Sequence, residues 1–360
     1  MLTEPRPATC DALATIAAVG AASAQNVNLT GGIGFAFLKD VQDRTTGSAA
    51  HGLVNSSAYI DVSVSEDMGN GYKVAAFMEF NQDGGFAAKA YGDNKSLTLT
   101  TPMGVVGLVN TRSGGNQAAG MVGPVILWNG AFDVGNVISR TPSDVLYFAM
   151  PLAAGLTGKL QYAEAYTTTF TENPYNAAIT VGGYGTGDGN QNAGAATYTA
   201  GLAYAAGPLK VSANYNQSFL TDEFKATLLT ATVLSGVDTH TPAGLKTTDP
   251  RLVSYDISAI YDAGVAKFGV SIDGPRRLKQ NGTDDSAYLM GVSVPLGAWT
   301  MGGNYAVRGS NNLFNVGATY DLSKRTSMNA SWGTYTTAKA AVNGSDLVQD
   351  TYRVTMNHSF

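Results

Sequence analysis

The chain alternates apolar and polar residues in many short segments. Tyr72–Phe80, Leu209–Tyr215 and Phe314–Leu322 each carry an apolar residue at every second position, mostly with small or polar residues between. Successive side chains of a β-strand point to opposite faces, so a period of two predicts strands with one apolar and one polar face. Such strands are typical of transmembrane β-barrels and also of β-sandwiches.

The spacing of the turns favours the barrel. Short turns such as Met68–Gly71 and Leu296–Ala298 alternate with much longer polar connections. The predicted long connections are 83–94, 111–140, 166–194, 219–250, 274–285 and 337–349. Short turns at one rim and long loops at the other are the arrangement of outer-membrane barrels.

Counting the alternating segments predicts sixteen strands. They cover 26–38, 53–66, 72–82, 95–101, 105–112, 144–151, 156–165, 195–206, 208–218, 251–263, 265–273, 286–296, 298–308, 312–322, 325–336 and 350–360. We therefore predict an all-β fold, a 16-stranded antiparallel transmembrane β-barrel. A barrel of this size leaves an aqueous lumen, whereas side chains fill the interior of an eight-stranded one.

Composition agrees with a membrane barrel and argues against several other classes. Only 14% of the 360 residues are charged, against about 25% in soluble domains. Beyond the first segment no run of 18 apolar residues exists, so no transmembrane helix is predicted. A membrane-spanning chain without such helices must close its sheet into a barrel. The net charge of −5 and the lack of a basic run give no reason to expect nucleic acid as a partner.

The first residues have the pattern of a secretory signal. Ala12–Val19 is a short apolar core, and Ala22-Ser23-Ala24 is a cleavage site before Gln25. We therefore predict a cleaved signal peptide at 1–24 and a barrel domain at 25–360. The only cysteine, Cys10, lies in the predicted leader, so no intrachain disulfide can form; a lipidated N-terminus is the alternative interpretation.

Several motifs resemble those of the general porins of Gram-negative β-proteobacteria. The matching positions are Glu66–Lys73, Tyr320–Thr326, Val354–Phe360 and the group Arg140, Val145, Tyr147 and Pro151. The resemblance implies a sixteen-stranded barrel in the outer membrane, usually a homotrimer, that passes small hydrophilic solutes and often anions. Partners expected on this basis are further copies of the chain, outer-membrane lipid and lipopolysaccharide.

The resemblance also implies roles for two parts of the chain. The alternating end of the last strand, with Met356, His358 and Phe360, resembles the signal that outer-membrane assembly machinery reads. The connection 111–140, called the third connection because the link 39–52 between the first two strands is counted as the first, corresponds to the loop that folds inward and narrows the pore. We expect its apolar residues, such as Trp128, to pack on the inner wall at Leu146 and Phe148. The alternative is a loop that contacts a neighbouring subunit or lies under the outer rim.

The period of two assigns charged residues to the lumen. The predicted lumen bases are Lys73, Lys159, Lys210, Lys267, Arg308 and Arg353, and the acids are Asp61, Glu79, Asp256, Asp273 and Asp321. Arg112, Asp133 and Arg140 belong to the predicted constriction. Charges near low-dielectric walls bias ion permeation, and this near balance predicts a weak anion preference at most. Basic residues that the family leads us to expect are replaced at the predicted lumen positions Tyr59, Ser63, Asn110 and Leu146.

Enzymatic chemistry is not predicted. His51, His240 and His358 are scattered, and no nucleophile elbow, phosphate loop or zinc-protease motif occurs. We expect no cofactor and no metal; Gly187–Asn190 and Gly282–Asp285 could ligate calcium but are typical of polar loop tips. The alternatives to a non-specific channel are a substrate-selective channel and a structural or adhesive barrel with a plugged lumen.

The predicted leader leads to a first test. We expect protein isolated from outer membranes to begin at Gln25, because signal peptidase cleaves after the small residue Ala24. Intact mass spectrometry measures this directly, and an Ala24→Asp variant should keep the leader. A wild-type mass that includes residues 1–24 would contradict the prediction.

Overall fold

The computed structural model describes residues 26–43, 47–81, 91–112, 120–124, 142–165, 169–170, 179–180, 195–220, 251–274, 286–308, 311–337 and 347–360. The predicted leader, 1–24, lies outside the described residues. No helix in the described parts of the chain is long and apolar enough to cross a membrane.

Sixteen strands form one closed antiparallel barrel, as predicted. In chain order they are β1 Asn26–Asp43, β2 Ser48–Gly69, β3 Tyr72–Asn81, β4 Tyr91–Thr101, β5 Gly104–Arg112, β6 Pro142–Ala153, β7 Leu156–Ala165, β8 Ala195–Ala206, β9 Leu209–Leu220, β10 Arg251–Asp262, β11 Lys267–Asp273, β12 Ala287–Leu296, β13 Trp299–Arg308, β14 Asn311–Asp321, β15 Thr326–Thr337 and β16 Leu347–Ser359. Each strand pairs with its neighbours in sequence, and β1 pairs with β16 to close the wall. A separate two-residue ladder, Thr169–Phe170 with Ile179–Thr180, lies between β7 and β8.

The first two strands are longer than predicted. The β1–β2 ladder continues to the pair Asp43↔Ser48, beyond the predicted limits at residues 38 and 53. The prediction ended each strand where apolar alternation stopped. Backbone hydrogen bonds do not require apolar side chains, so the hairpin continues through polar residues such as Lys39 and Asp40.

The rim opposite the long connections is built from tight turns. The β2–β3 turn needs three successive residues with positive φ, Gly69 at 79°, Asn70 at 54° and Gly71 at 81°. Only glycine, and to a lesser degree asparagine, adopts this conformation without steric cost. The sequence Gly-Asn-Gly therefore dictates the turn.

The outer face of the barrel is an apolar band. On the closing strands, Phe35 and Phe37 of β1 lie beside Met356 and Val354 of β16, and Phe35 is 57% exposed. Soluble monomers rarely expose a continuous apolar surface of this kind. Aromatic pairs lie near both edges of the band, for example Trp299–Tyr320 with ring centroids 4.7 Å apart. This distribution is typical of a wall that lipid surrounds.

The seam between β1 and β16 extends to the last residue of the chain. Gly31 and Phe360 exchange backbone hydrogen bonds of 3.2 and 3.0 Å. A Cβ on Gly31 would overlap the ring of Phe360, and one on Gly32 would lie 2.8 Å from a ring carbon of Tyr59. The missing side chains in β1 therefore let rings from both neighbouring strands lie over it, Phe360 from the end of β16 and Tyr59 from β2.

This arrangement predicts the effect of a side chain at the seam. Gly31→Val should displace the Phe360 ring and lower the free energy of unfolding by about 1–3 kcal/mol, as overpacking does. Gly52→Val is the matched control, because a Cβ on this glycine of β2 meets no atom within 4 Å. The measurement is urea unfolding in detergent followed by far-UV circular dichroism. Equal stability of the two variants would show that the ring contact contributes nothing.

Candidate functional site

The strand register assigns strand residues to one of the two faces of the wall wherever their side chains are described. Residues that pair directly across an antiparallel ladder point to the same face, and Phe35 marks the outer one. Continued around the barrel, the register places the following predicted residues on the inner face: Lys73, Glu79, Lys159, Lys210, Lys267, Arg308, Arg353, Asp61, Asp256, Asp273 and Asp321. Tyr59 and Ser63 also face inward.

The inner face carries three further acids that the sequence analysis did not assign to it. Asp40 pairs with Thr351 and accepts a 2.6 Å hydrogen bond from its hydroxyl. Asp67 lies opposite Lys73, and Asp262 lies opposite Lys267. Acidic residues therefore outnumber basic ones among the described inner-face residues. Asp40 and Asp67 lie just beyond the predicted strand limits at residues 38 and 66, where apolar alternation stops. Asp262 lies within its predicted strand at the same parity as Asp256, so the period of two could have assigned it to the lumen.

Four of the inner-face charges form two pairs of opposite sign. Arg308 donates to the buried carboxylate of Asp273, and Lys267 Nζ lies 3.5 Å from Asp262 Oδ2. Such pairing leaves little net field in those parts of the lumen, since opposite charges cancel at a distance.

Hydrogen bonds between polar side chains run along the wall from β8 to β10. Asp256 accepts from Asn214 at 2.6 Å and from Asn216 at 3.1 Å, and Thr199 donates to Asn216 at 2.8 Å. A similar group on β3 and β4 has Asn81 and Asn94 donating to Glu79. The inner wall is thus lined with hydroxyls, amides and carboxylates, the groups that water and hydrophilic solutes can hydrogen-bond.

Residues 120–124, the described part of the third connection, contact side chains of the inner face. Gly120 N donates to Ser271 Oγ at 3.3 Å, and Gly123 N donates to Asn304 Oδ1 at 2.7 Å. Ser271 of β11 and Asn304 of β13 face the lumen on the wall opposite β5 and β6, the strands that this connection joins. Met121, between these contacts, is buried.

The side chains of the other predicted constriction residues lie outside the described part of the structure. Asp133 and Arg140 lie outside the described residues. Arg112 ends β5, where its backbone pairs with Pro142, but its side chain is outside the described part. Their role in a constriction stays a prediction.

The expected receiving surface for this connection was wrong. Leu146 and Phe148 face outward, where they pair with Leu108 and Val106, and Leu146 is 46% exposed. Strand β6 has apolar residues on both faces, so its sequence does not identify the inner one. Asn110 is also an outer-face residue, hydrogen-bonded to Asp144 at 2.7 Å. Neither Asn110 nor Leu146 is therefore a lumen position.

Buried apolar residues lie instead on the inner face of β12 to β14. Leu289 and Leu313 point into the barrel, yet they are only 2% and 0% exposed, and Ala306 between them is fully buried. Two isolated leucines among polar inward positions do not form a repeating sequence pattern, so the period of two does not single them out. Sequence reasoning could have found them only as leucines at inward positions of otherwise small and polar strand faces.

The residues of the predicted assembly signal all lie at the seam end of β16. Met356 and His358 are on the outer face, and His358 Nδ1 lies 2.9 Å from the hydroxyl of Thr326. Phe360 forms the last pair with Gly31.

Metal ligands are not clustered in the described part of the chain. No three histidine, cysteine, aspartate or glutamate side chains there are placed to hold a metal ion. The two loop segments with possible calcium ligands, Gly187–Asn190 and Gly282–Asp285, lie outside the described residues.

Comparison with known proteins gives a consistent picture. The family model described as Gram-negative porin matches residues 12–340. The anion-selective porin from Comamonas acidovorans shares 18% identity over 93% of this chain and 99% of its own, with a TM-score of 0.61. The trimer form of OmpT, an outer membrane protein of Vibrio cholerae, shares 14% identity over 93% and 99%, with a TM-score of 0.59.

An engineered variant of the Rh. blastica porin shares 13% identity over 93% of this chain and 100% of its own, with a TM-score of 0.53. No curated protein sequence matches the chain significantly. At these identities the solved structures establish the sixteen-stranded fold, and the family model covers nearly the whole sequence. The chain belongs to the Gram-negative porin family.

Proposed function

We propose that the chain forms a water-filled channel in the outer membrane, through which small hydrophilic solutes and ions diffuse passively. The observation that carries this proposal is the polar inner face of a closed sixteen-stranded wall, such as the network of Asn214, Asn216 and Asp256. A wall of this circumference leaves an aqueous lumen. Membership of the porin family supports an outer-membrane location.

Ion selectivity should be weak. The pairs Arg308 with Asp273 and Lys267 with Asp262 cancel part of the wall charge. The related C. acidovorans protein is described as anion-selective, but acids are in excess on the described inner face of this chain. We therefore assign any anion preference to Arg112 and Arg140, which flank the third connection.

We infer that the channel carries out no bond chemistry. His51 and His358 are on the outer face of the wall, away from the lumen carboxylates. A catalytic group has to lie within hydrogen-bond reach of the proton it moves. Neither histidine meets this condition for a solute in the lumen.

We also propose that the protein works as a homotrimer. The support is the trimer form described for OmpT of V. cholerae, whose fold this chain shares. The outer apolar band, including Phe35, would then be divided between subunit contacts and lipid. Lipopolysaccharide is the expected lipid partner on the side of the long connections.

Single-channel recording tests the channel proposal. Purified protein in a planar bilayer should produce large, steady conductance steps, usually in groups of three, because each subunit of a trimer has its own lumen. The reversal potential in a salt gradient should show weak selectivity. Correctly folded protein that never conducts would mean a plugged lumen and would favour the structural or adhesive alternative.

Charge reversal tests the predicted constriction. The double variant Arg112→Glu with Arg140→Glu should move the reversal potential toward cation preference, because fixed charge at the narrowest point acts most strongly on passing ions. The matched control is Lys39→Glu with Lys95→Glu, since both lysines are on the outer face. If the arginine variant behaves like wild type, these residues do not line the constriction.

A further inference from the structure

The inner wall has a flat place where the third connection touches it. Gly269 of β11 pairs with Gly291 of β12, which pairs in turn with Asn304 of β13, and all three face the lumen. A Cβ on Gly269 would lie 2.6 Å from the carbonyl oxygen of Gly120. A Cβ on Gly291 would lie 2.5 Å from the backbone nitrogen of Val122. Only two adjacent glycines leave room for a backbone to approach so closely.

Asn304 links the flat part of the wall to the third connection through two hydrogen bonds. Its Oδ1 accepts from Gly123 N at 2.7 Å, and its Nδ2 donates to Asn315 Oδ1 at 3.1 Å. A backbone N–H can only donate, so the Asn304 amide must present its oxygen to the connection and its nitrogen to Asn315. Asn304 is 2% exposed, and a buried donor left without this acceptor would carry its full desolvation cost.

We propose that Gly269, Gly291 and Asn304 form a docking site that holds the third connection at a fixed distance from the wall. In this proposal Asn304 is the positioning residue and the two glycines set the depth of contact. The lumen that solutes pass is the space left beside the docked connection. The inference deepens the proposed channel function and rests on it only where conductance is the readout.

A cysteine pair tests the docking geometry without any conductance measurement. A Cβ on Gly123 would lie 2.9 Å from Cγ of Asn304, and Cγ is one bond from the Asn304 Cβ. The two Cβ atoms are therefore close enough for a disulfide, which needs a Cβ–Cβ separation of about 3.5–4.5 Å. The variant Gly123→Cys with Asn304→Cys should therefore form a disulfide in the folded barrel, detected by mass spectrometry of proteolytic peptides.

The control for the cross-link is Gly123→Cys with Gly52→Cys. Gly52 also faces the lumen, but a Cβ there meets no atom within 4 Å, so this pair should stay reduced. Equal disulfide yield in the two pairs, or none in the first, would overturn the docking site. The only natural cysteine is Cys10.

Single-channel records test the consequence for the pore. Asn304→Leu keeps nearly the same side-chain size but removes the acceptor for Gly123 N. Gly291→Ala adds a Cβ that would overlap the backbone of the connection at Val122. Each recording gives the time that the channel spends at its main conductance level and at other conductance levels. In both variants the ratio of time at the other levels to time at the main level should increase about fivefold, because the docked connection loses about 1 kcal/mol of stabilisation. The matched controls Asn28→Ala and Gly52→Ala also alter lumen-facing residues and should keep wild-type records.

The two experiments separate the proposals. Wild-type records from both dock variants would overturn the positioning role of Asn304. A wild-type protein that never conducts would contradict the channel function, while the cross-link would still decide whether the docking site exists. If Asn304→Leu does not fold, Gly291→Ala and the cysteine pair still give a result for or against the site.

Discussion

Closure of the backbone ladder is the constraint on which the rest of this molecule depends. An N–H or C=O group facing hydrocarbon without a partner costs several kcal/mol, so every strand needs a neighbour on both sides. The pairing of β1 with β16 meets this need over ten successive partners from Gly32↔Ser359 to Val41↔Asp350. The Gly31–Phe360 exchange adds one more pair. Closure also separates the two faces of the sheet, so that alternate residues point to the lipid or to the lumen, and the polar residues at the inward positions form the inner wall.

The inner wall then divides into two kinds of surface. From β7 to β10 it is a hydrogen-bonded polar surface, where Asp256 is held by two asparagines. From β11 to β14 it combines glycines, buried leucines such as Leu289, and the amide of Asn304. The first surface suits contact with water, and the second suits contact with another part of the chain. One barrel can therefore hold its own connection on one side and leave the other side wet.

Much of this fold could be predicted from sequence, because a strand with one face in lipid and one in water must alternate. The sixteen strands and the short-turn rim follow from that pattern. The alternating pattern does not identify strand residues where the alternation stops, as beyond residue 38 in β1. It assigns the wrong face where both faces of a strand are apolar, as for Leu146 and Phe148 in β6. The contact between Gly123 and Asn304 was not foreseeable from any local pattern, because it depends on the register of the seven barrel strands between them, β6 to β12.

That contact also has a consequence for the order of assembly. Gly123 and Asn304 are 181 residues apart in sequence, and contacts of such separation form late because the intervening chain must first be ordered. The connection has no wall to rest on until β11, β12 and β13 are in place. An incomplete barrel ending before β11 therefore lacks every wall contact described for the third connection, and the width of the passage is decided by the last third of the chain to leave the ribosome.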